Sequence, residues 1–310
     1  MLSRVAERLY WAGRYLERAE NTARLVSSHN RLILDIPVGS EPDWFTLVEV
    51  FNAEKQFAQF FKRPTEMNVH KLLLLKTSAP CSIAFSLRSA KEDIRVTRTA
   101  LPDGAWEHIN EMCIYMDESL KASLSRRNRT IFLKNIIQKC QLFNGLLDSS
   151  LTRGLAFNFI KLGQYIERAD MVTRILNVGV RDIVKQEESF SHIKPSRWNT
   201  LLEAVSAKSA YRQSMGAMVD RDSILEFVFK SETFPRSVIF CLYALNERAS
   251  QLPRTEEFLT HVNSIIRKIK RFSAGKVEQE NLERFVQNVQ VGLIDTHILL
   301  SRTWFDSEAM

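Results

Sequence analysis

One segment of this chain is written twice. Residues 10–25 (Tyr-Trp-Ala-Gly-Arg-Tyr-Leu-Glu-Arg-Ala-Glu-Asn-Thr-Ala-Arg-Leu) return at 160–175: a slide of 150 places sets Gly13 on Gly163, Tyr15 on Tyr165, Glu17 on Glu167, Arg18 on Arg168, Glu20 on Asp170 and Arg24 on Arg174. No other pair of segments in the chain is so alike. Whatever the fold, it must give these two segments comparable surroundings.

At 3.6 residues per turn, positions three and four apart share a helix face. Val5, Leu9, Ala12, Leu16, Ala19 and Ala23 then form an apolar stripe, matched by Leu155, Phe159, Leu162, Ile166, Ala169 and Thr173. Such a stripe is a core face. The neighbouring row begins apolar and turns charged: Ala6, Tyr10, Gly13, Glu17, Glu20, Arg24, and in the second copy Ala156, Ile160, Gly163, Glu167, Asp170, Arg174. A solvated face has no reason to repeat residue types in order, so this row is expected to be semi-buried. Glycine inside a helix costs about 1 kcal/mol relative to alanine. Gly13 and Gly163, one turn ahead of the carboxylates, are therefore read as points where two helices approach closely.

Further landmarks follow in the same order. Trp44 meets Trp198, opening Leu47, Val48 and Phe51 against Leu201, Leu202 and Val205; Pro80-Cys-Ser-Ile-Ala-Phe-Ser-Leu87 meets Pro235-Arg-Ser-Val-Ile-Phe-Cys-Leu242; and Glu92 falls on Glu247. His108-Ile-Asn110 meets His261-Val-Asn263, and Gly145-Leu-Leu-Asp148 meets Gly292-Leu-Ile-Asp295. Only 10 glycines and 8 prolines punctuate 310 residues rich in helix formers. The expectation is an all-α, tandemly duplicated helical bundle with pseudo-two-fold symmetry. Residues 1–150 would be the first helical repeat and 151–310 the second, four to six helices each, packed together as one compact unit. The first helix is read from Ser3, as a cap, to about Ile33; Pro37–Pro42 breaks it. Proline in a first turn suits helix starts near Pro80 and Pro235. Leu101–Ala105, Arg126–Thr130 and Lys185–Pro195 are read as connections.

Charge and cysteine usage narrow the function classes. The net charge of +7 comes from 43 basic and 36 acidic residues without a long basic run, which is a solvated surface rather than a nucleic-acid footprint. Cys81, Cys113, Cys140 and Cys241 form no closely spaced pair, as expected of reduced thiols in a cytoplasmic protein. The charged N-terminus does not read as a signal peptide, and the longest aliphatic run, Leu72–Leu75, is far too short to span a membrane.

Four acidic groups, Glu17, Glu20, Glu167 and Asp170, converge with Arg18, Arg24, Arg168 and Arg174 if the two helices face each other. Such a cluster could clamp an amine or a carboxylate-bearing ligand, or hold one carboxyl ready for proton transfer. It also reads as architecture: Glu20–Arg24 and Asp170–Arg174 have the acid-before-base spacing of an intrahelical ion pair. Tyr15 and Tyr165 share a row with Arg18 and Arg168, where stacking is expected, with groove lining second. A di-iron centre needs a histidine three residues after a glutamate, and none of the six histidines is so placed. No cofactor is implied; an oxygen-only Mg²⁺ site stays open as an alternative. His108 and His261 repeat, as hydrogen-bonded histidines near helix starts. Phosphate loops, nucleophile elbows and dinucleotide fingerprints are absent from the sequence.

The opening Ser3–Arg24 resembles that of the bacterial alpha-E family, all-helical proteins noted for a Glu-Arg motif. Ser82-Ile83, Ala90-Lys-Glu-Asp-Ile-Arg95, Trp106-Glu107 and Asn110 extend the likeness. The family's middle motif usually reads Ala-Arg-Glu-Asn-Ala-Arg; Lys91, Asp93 and Ile94 depart from it, while Glu92 and Arg95 hold. The resemblance implies a setting beside circularly permuted ATP-grasp ligases and transglutaminase-like proteins in peptide or amide ligation. It leads to the expectation of an accessory or substrate-binding component whose groove holds a peptide or amino acid through Tyr15, Glu17, Arg18, Glu20, Arg24, Glu92, Tyr165, Glu167, Arg168, Asp170, Arg174 and Glu247. The alternatives are an enzyme using Glu17 or Glu167 as acid or base in amide transfer or cleavage, and a purely structural scaffold.

Overall fold

The computed structural model describes residues 2–35, 43–185, 194–276 and 278–306, and among these every regular element is helical. Up to Ser150 the helices are α1 (Ser3–Asp35), α2 (Phe45–Val50), α3 (Glu54–Phe60), α4 (Glu66–His70), α5 (Ile83–Thr97), α6 (Ala105–Ser119) and α7 (Arg126–Ser150). Beyond it lie α8 (Leu155–Lys185), α9 (Lys194–Ala204), α10 (Lys208–Met215), α11 (Arg221–Lys230), α12 (Val238–Ala249), α13 (Glu256–Arg271) and α14 (Gln279–Trp304). The two long helices α1 and α8, which carry the repeated segment, pack against each other at the centre. On α1 rest α5 and α7, bridged by α6; on α8 rest α12 and α14, bridged by α13. The short helices cross over: α2 touches α8, and α9 lies along α1.

The apolar stripes explain the central packing. Leu9, Ala12, Leu16, Ala19 and Ala23 are buried on α1, and Phe159, Leu162, Ile166, Ala169 and Thr173 on α8; Leu155, at the first position of α8, is exposed. Buried hydrophobics from α1 to α14 form one continuous cluster. The glycines set how close the two axes come. A Cβ at Gly13 would meet the carbonyl oxygen of Ile160 well inside 3.0 Å, and one at Gly163 would collide likewise with the carbonyl oxygen of Tyr10. Each glycine thus lies against the backbone of the other helix three residues before its partner glycine.

Several boundaries differ from the sequence expectation, for local physical reasons. Ser3 is already helical, and the carbonyl of Leu2 accepts the amides of Val5 and Ala6 in the cap's place. Pro80 and Pro235 precede the helices instead of opening them. The caps are Ser82 and Ser237, whose hydroxyls accept from the amides of Phe85 and Phe240. Arg126–Thr130 is the first turn of α7, not a connection. Arg129 is buried there and donates to Glu66 and Asn30, with His70 Nε2 at 2.9 Å, which ties the helix start to α4 and α1. Seven helices, not four to six, lie on each side of Leu151 among the described residues, because α3, α4 and α10 are too short for a 3.6-residue period to declare itself. The break at Leu101–Ala105 is present, with Gly104 at φ 88° before α6. The breaks read at Pro37–Pro42 and in most of Lys185–Pro195 lie outside the described residues; Lys185 ends α8 and Pro195 lies in α9.

Gly13→Ala or Gly163→Ala forces the two backbones apart, and each should lower the thermal midpoint and cost well over the ~1 kcal/mol that alanine gains in an open helix. Gly145→Ala in α7, where a Cβ meets nothing within 4 Å, should instead raise the midpoint. Calorimetric melting of the three variants checks the contrast.

Candidate functional site at the helix crossing

One turn beyond each glycine the charged row reaches the crossing. Arg168 of α8 donates from Nε and Nη2 to the two oxygens of Glu17 on α1, at 2.9 and 2.7 Å. Arg18 of α1 returns the same fork to Glu167 of α8, at 2.6 and 2.9 Å. The two Glu-Arg dipeptides, 17–18 and 167–168, thus clasp each other, and each guanidinium also lies over the tyrosine one turn earlier, Arg18 on Tyr15 and Arg168 on Tyr165. Arg14 adds a bond of 2.7 Å to Glu167 and lies within 3.4 Å of the Tyr10 hydroxyl, which in turn meets His297 Nδ1 at 2.7 Å. Planar, bidentate guanidinium–carboxylate pairs of this kind are the geometrically selective form of ion pair.

Glu17 and Glu167 are fully buried. Burial alone would raise a carboxyl, but Arg168 and Arg236 hold Glu17 down at about 2, and Arg18 and Arg14 do the same for Glu167. The same burial would strip protons from Arg168 and Arg14, yet Glu17 and, for Arg14, Tyr10 and Glu167 raise both above the ordinary arginine value. Every member of the clasp is therefore charged at neutral pH. A carboxylate with so low an affinity for protons is a poor general base.

The next turn carries the second pair on each side. Glu20 accepts two bonds from Arg24, at 2.9 and 2.7 Å, and Asp170 accepts one of 2.9 Å from Arg174, so both intrahelical pairs expected from the spacing are formed. Here the sides part. From the turn before α12, Arg236 enters beside α1 and donates to Glu17 at 3.0 Å, Asn21 at 2.7 Å and Glu20 at 2.9 Å. In the corresponding turn before α5 stands Cys81, and beside it lies a cavity of about 200 Å³ lined by Arg18, Glu167, Asp170, Met171 and Arg174.

The sequence-derived residues fall into two groups. Tyr15, Glu17, Arg18, Glu20, Arg24, Tyr165, Glu167, Arg168, Asp170 and Arg174 are assembled at the crossing. Glu92 and Glu247 are not: both are exposed, paired with their neighbours Arg95 and Arg248 on α5 and α12. Arg14, Asn21 and Arg236 belong to the crossing and were missed, because their repeat partners are Gln164, Met171 and Cys81 and a search for identity between copies passes over them. The buried row is drier than the semi-buried expectation. Of the repeated histidines, His261 of α13 meets the carbonyl of Gly292 on α14 at 3.0 Å, and His108 lies in the first turn of α6.

Among the described residues no group of three or more His, Cys, Asp or Glu is placed to hold a metal ion. The chemistry of the crossing agrees poorly with Mg²⁺. Its carboxylates already accept from guanidinium groups, and of the four only Asp170 presents a buried oxygen, Oδ1, without a hydrogen-bond partner. The carboxylate that carries that oxygen is already bonded on its other oxygen by Arg174, a cationic neighbour that disfavours a divalent cation there. No described helix is long and apolar enough to cross a membrane.

Glu17→Gln leaves Arg168 and Arg236 buried against a neutral amide and should cost about 3–5 kcal/mol in urea unfolding, whereas Glu92→Gln on the surface should leave the midpoint in place. The pH dependence has a definite sign. Glu17 and Glu167 drop from an ordinary 4.5 to about 2 on folding, so their contribution is complete above about pH 4.5 and disappears as pH falls toward 2. His29 and His70, held neutral by burial at about 3 and 4 against an ordinary 6.5, act in the same direction from pH 6.5 downward. Stability measured against pH should therefore fall below pH 6.5 and more steeply below 4.5, with the steep limb reduced in Glu17→Gln.

Comparison with known proteins places the chain. No curated protein and no solved structure matches it. Residues 1–305 match the model of Alpha-E, described as a predicted alpha-helical domain with a conserved ER motif. Glu-Arg occurs five times in this sequence, and the dipeptides at 17–18 and 167–168 are the two that pair with one another. The chain belongs to the Alpha-E family.

Proposed function

We propose that this protein is a cytoplasmic, non-catalytic binding component of a peptide- or amide-bond-forming system, acting with a circularly permuted ATP-grasp ligase, a transglutaminase-like protein or both. Its ligand is a peptide or amino acid held beside the α1–α8 crossing. The observation that carries this reading is the geometry of the crossing: four carboxylates and six guanidinium groups, paired and oriented by hydrogen bonds, with a cavity opening on one end. Fixed charges of both signs suit recognition of a ligand that itself bears an ammonium or guanidinium and a carboxylate. They suit proton transfer less well, which places the acid–base role for Glu17 or Glu167 second.

The proposal includes an origin by tandem duplication, with residues 1–150 and 151–310 as repeats about a pseudo-two-fold axis at the crossing. Three observations support it. Among the described residues the seven helices before Leu151 and the seven after it follow in the same order of short and long, α1 with α8 through α7 with α14. Ser82 and Ser237 each cap a helix and each donate to a carbonyl six residues earlier. The Glu-Arg forks are reciprocal.

Purified protein should co-elute with a circularly permuted ATP-grasp ligase from the same source, or raise that enzyme's amide-forming rate. Separate elution together with an unchanged rate would overturn the partnership.

A further inference from the structure

The two ends of the crossing offer the same frame with different fillings. On the α1 side, Arg236 is held by Glu17, Glu20 and Asn21, with Arg168 and Arg24 flanking it. The cavity on the α8 side is lined by the residues that answer to these in the repeat: Cys81 for Arg236, Glu167 for Glu17, Asp170 for Glu20, Met171 for Asn21, Arg18 for Arg168 and Arg174 for Arg24. The turns that carry Cys81 and Arg236 are built alike, each one residue before a serine cap. Arg236 is nine-tenths buried and reaches across to α1, while the side chain of Cys81 stops short and leaves about 200 Å³ beside it.

The acceptors that hold Arg236 have counterparts with capacity to spare. Glu17 Oε1 accepts Arg168 Nε and also Arg236 Nη1; among the described residues Glu167 Oε1 accepts Arg18 Nε alone. Arg14 does not take this place, because it bonds Oε2. Glu20 Oε1 accepts Arg236 Nη2, whereas Asp170 Oδ1 is buried without a hydrogen-bond partner. A carboxyl oxygen without a donor is costly to bury. The side chains around it keep a path to solvent, at 13% exposure for Asp170, 16% for Arg18 and 19% for Arg174.

We infer that this cavity binds the guanidinium of an arginine, free or at the end of a peptide, which donates to Asp170 Oδ1 and Glu167 Oε1 as Arg236 donates to Glu20 and Glu17. Phe51, Pro80 and Met171 supply an apolar wall for the aliphatic stem. Arg14, Arg18 and Arg174 outnumber Glu167 and Asp170 here, so a ligand whose carboxylate cancels one of its two positive charges is favoured over one that keeps both. Free arginine and a peptide with C-terminal arginine carry that carboxylate beside their guanidinium and ammonium; agmatine does not. The inference rests on the binding role proposed for the crossing and not on any partner enzyme.

Titration calorimetry of the full chain in low salt tests it, with L-arginine, the tripeptide Gly-Gly-Arg, agmatine and L-lysine as probes. One arginine or one Gly-Gly-Arg per chain is expected, with agmatine and lysine each weaker by about tenfold, the scale of one charged hydrogen bond. If free arginine binds and the tripeptide does not, the peptide source is overturned; the reverse overturns the free amino acid. Cys81→Arg should raise the thermal midpoint and abolish binding by filling the cavity from within, and Asp170→Asn, which keeps the shape, should weaken binding about tenfold. Absence of heat with both arginine probes overturns the inference, as does binding that survives Asp170→Asn unchanged or lysine binding as tightly as arginine. Loss of ligase co-elution with arginine binding intact would strike the partnership alone; co-elution without arginine binding would strike this inference alone.

Discussion

The reciprocal fork between Glu17–Arg18 and Glu167–Arg168 is the interaction on which the rest of the structure depends. Two carboxylates with no exposure are tolerable in a protein interior only when guanidinium groups meet them at hydrogen-bonding distance. Those groups can reach only if the helix axes are close, and the axes are close only because glycine stands one turn earlier on each helix. The apolar stripes supply the bulk of the attraction between α1 and α8, but they are indifferent to register. A slip of one turn would leave a buried carboxylate without its guanidinium, so the charges select among packings that the stripes alone would accept.

From this point the architecture spreads outward. Because α1 and α8 use one face on each other, their remaining apolar surface is covered by α5 and α7 on one and by α12 and α14 on the other. The short helices α2 and α9 exchange sides and tie each half to the opposite long helix. Aromatic residues mark the seams: Tyr10 stacks on His297 of α14, and Trp44 lies edge-on to His70.

What could be read without coordinates was whatever the two copies share. The charged row, the two glycines, the intrahelical pairs at Glu20–Arg24 and Asp170–Arg174 and the Tyr–Arg stacks all recur, and repetition lifted them above ordinary surface chemistry. The same filter misled at Glu92 and Glu247, which recur and yet lie on exposed faces, and it hid Arg14 and Arg236, whose counterparts differ. Arg129 was lost for another reason: in a run of polar residues nothing marks the one arginine that turns inward to His70, because its partners are far apart in sequence. The short helices α3, α4 and α10 escaped since periodicity needs two turns or more to show.

The span between the members of each fork has a consequence for biosynthesis. Glu17 leaves the ribosome some 150 residues before Arg168, so α1 must wait through the synthesis of α2 to α7 with Glu20 paired to Arg24 but Glu17 without the guanidinium groups that later hold it. At translation speeds of about 5–20 residues per second that delay is roughly 8–30 seconds, long compared with helix formation. The nascent first half is thus an amphipathic assembly with a polar seam, and the arrival of α8 converts that seam into interior.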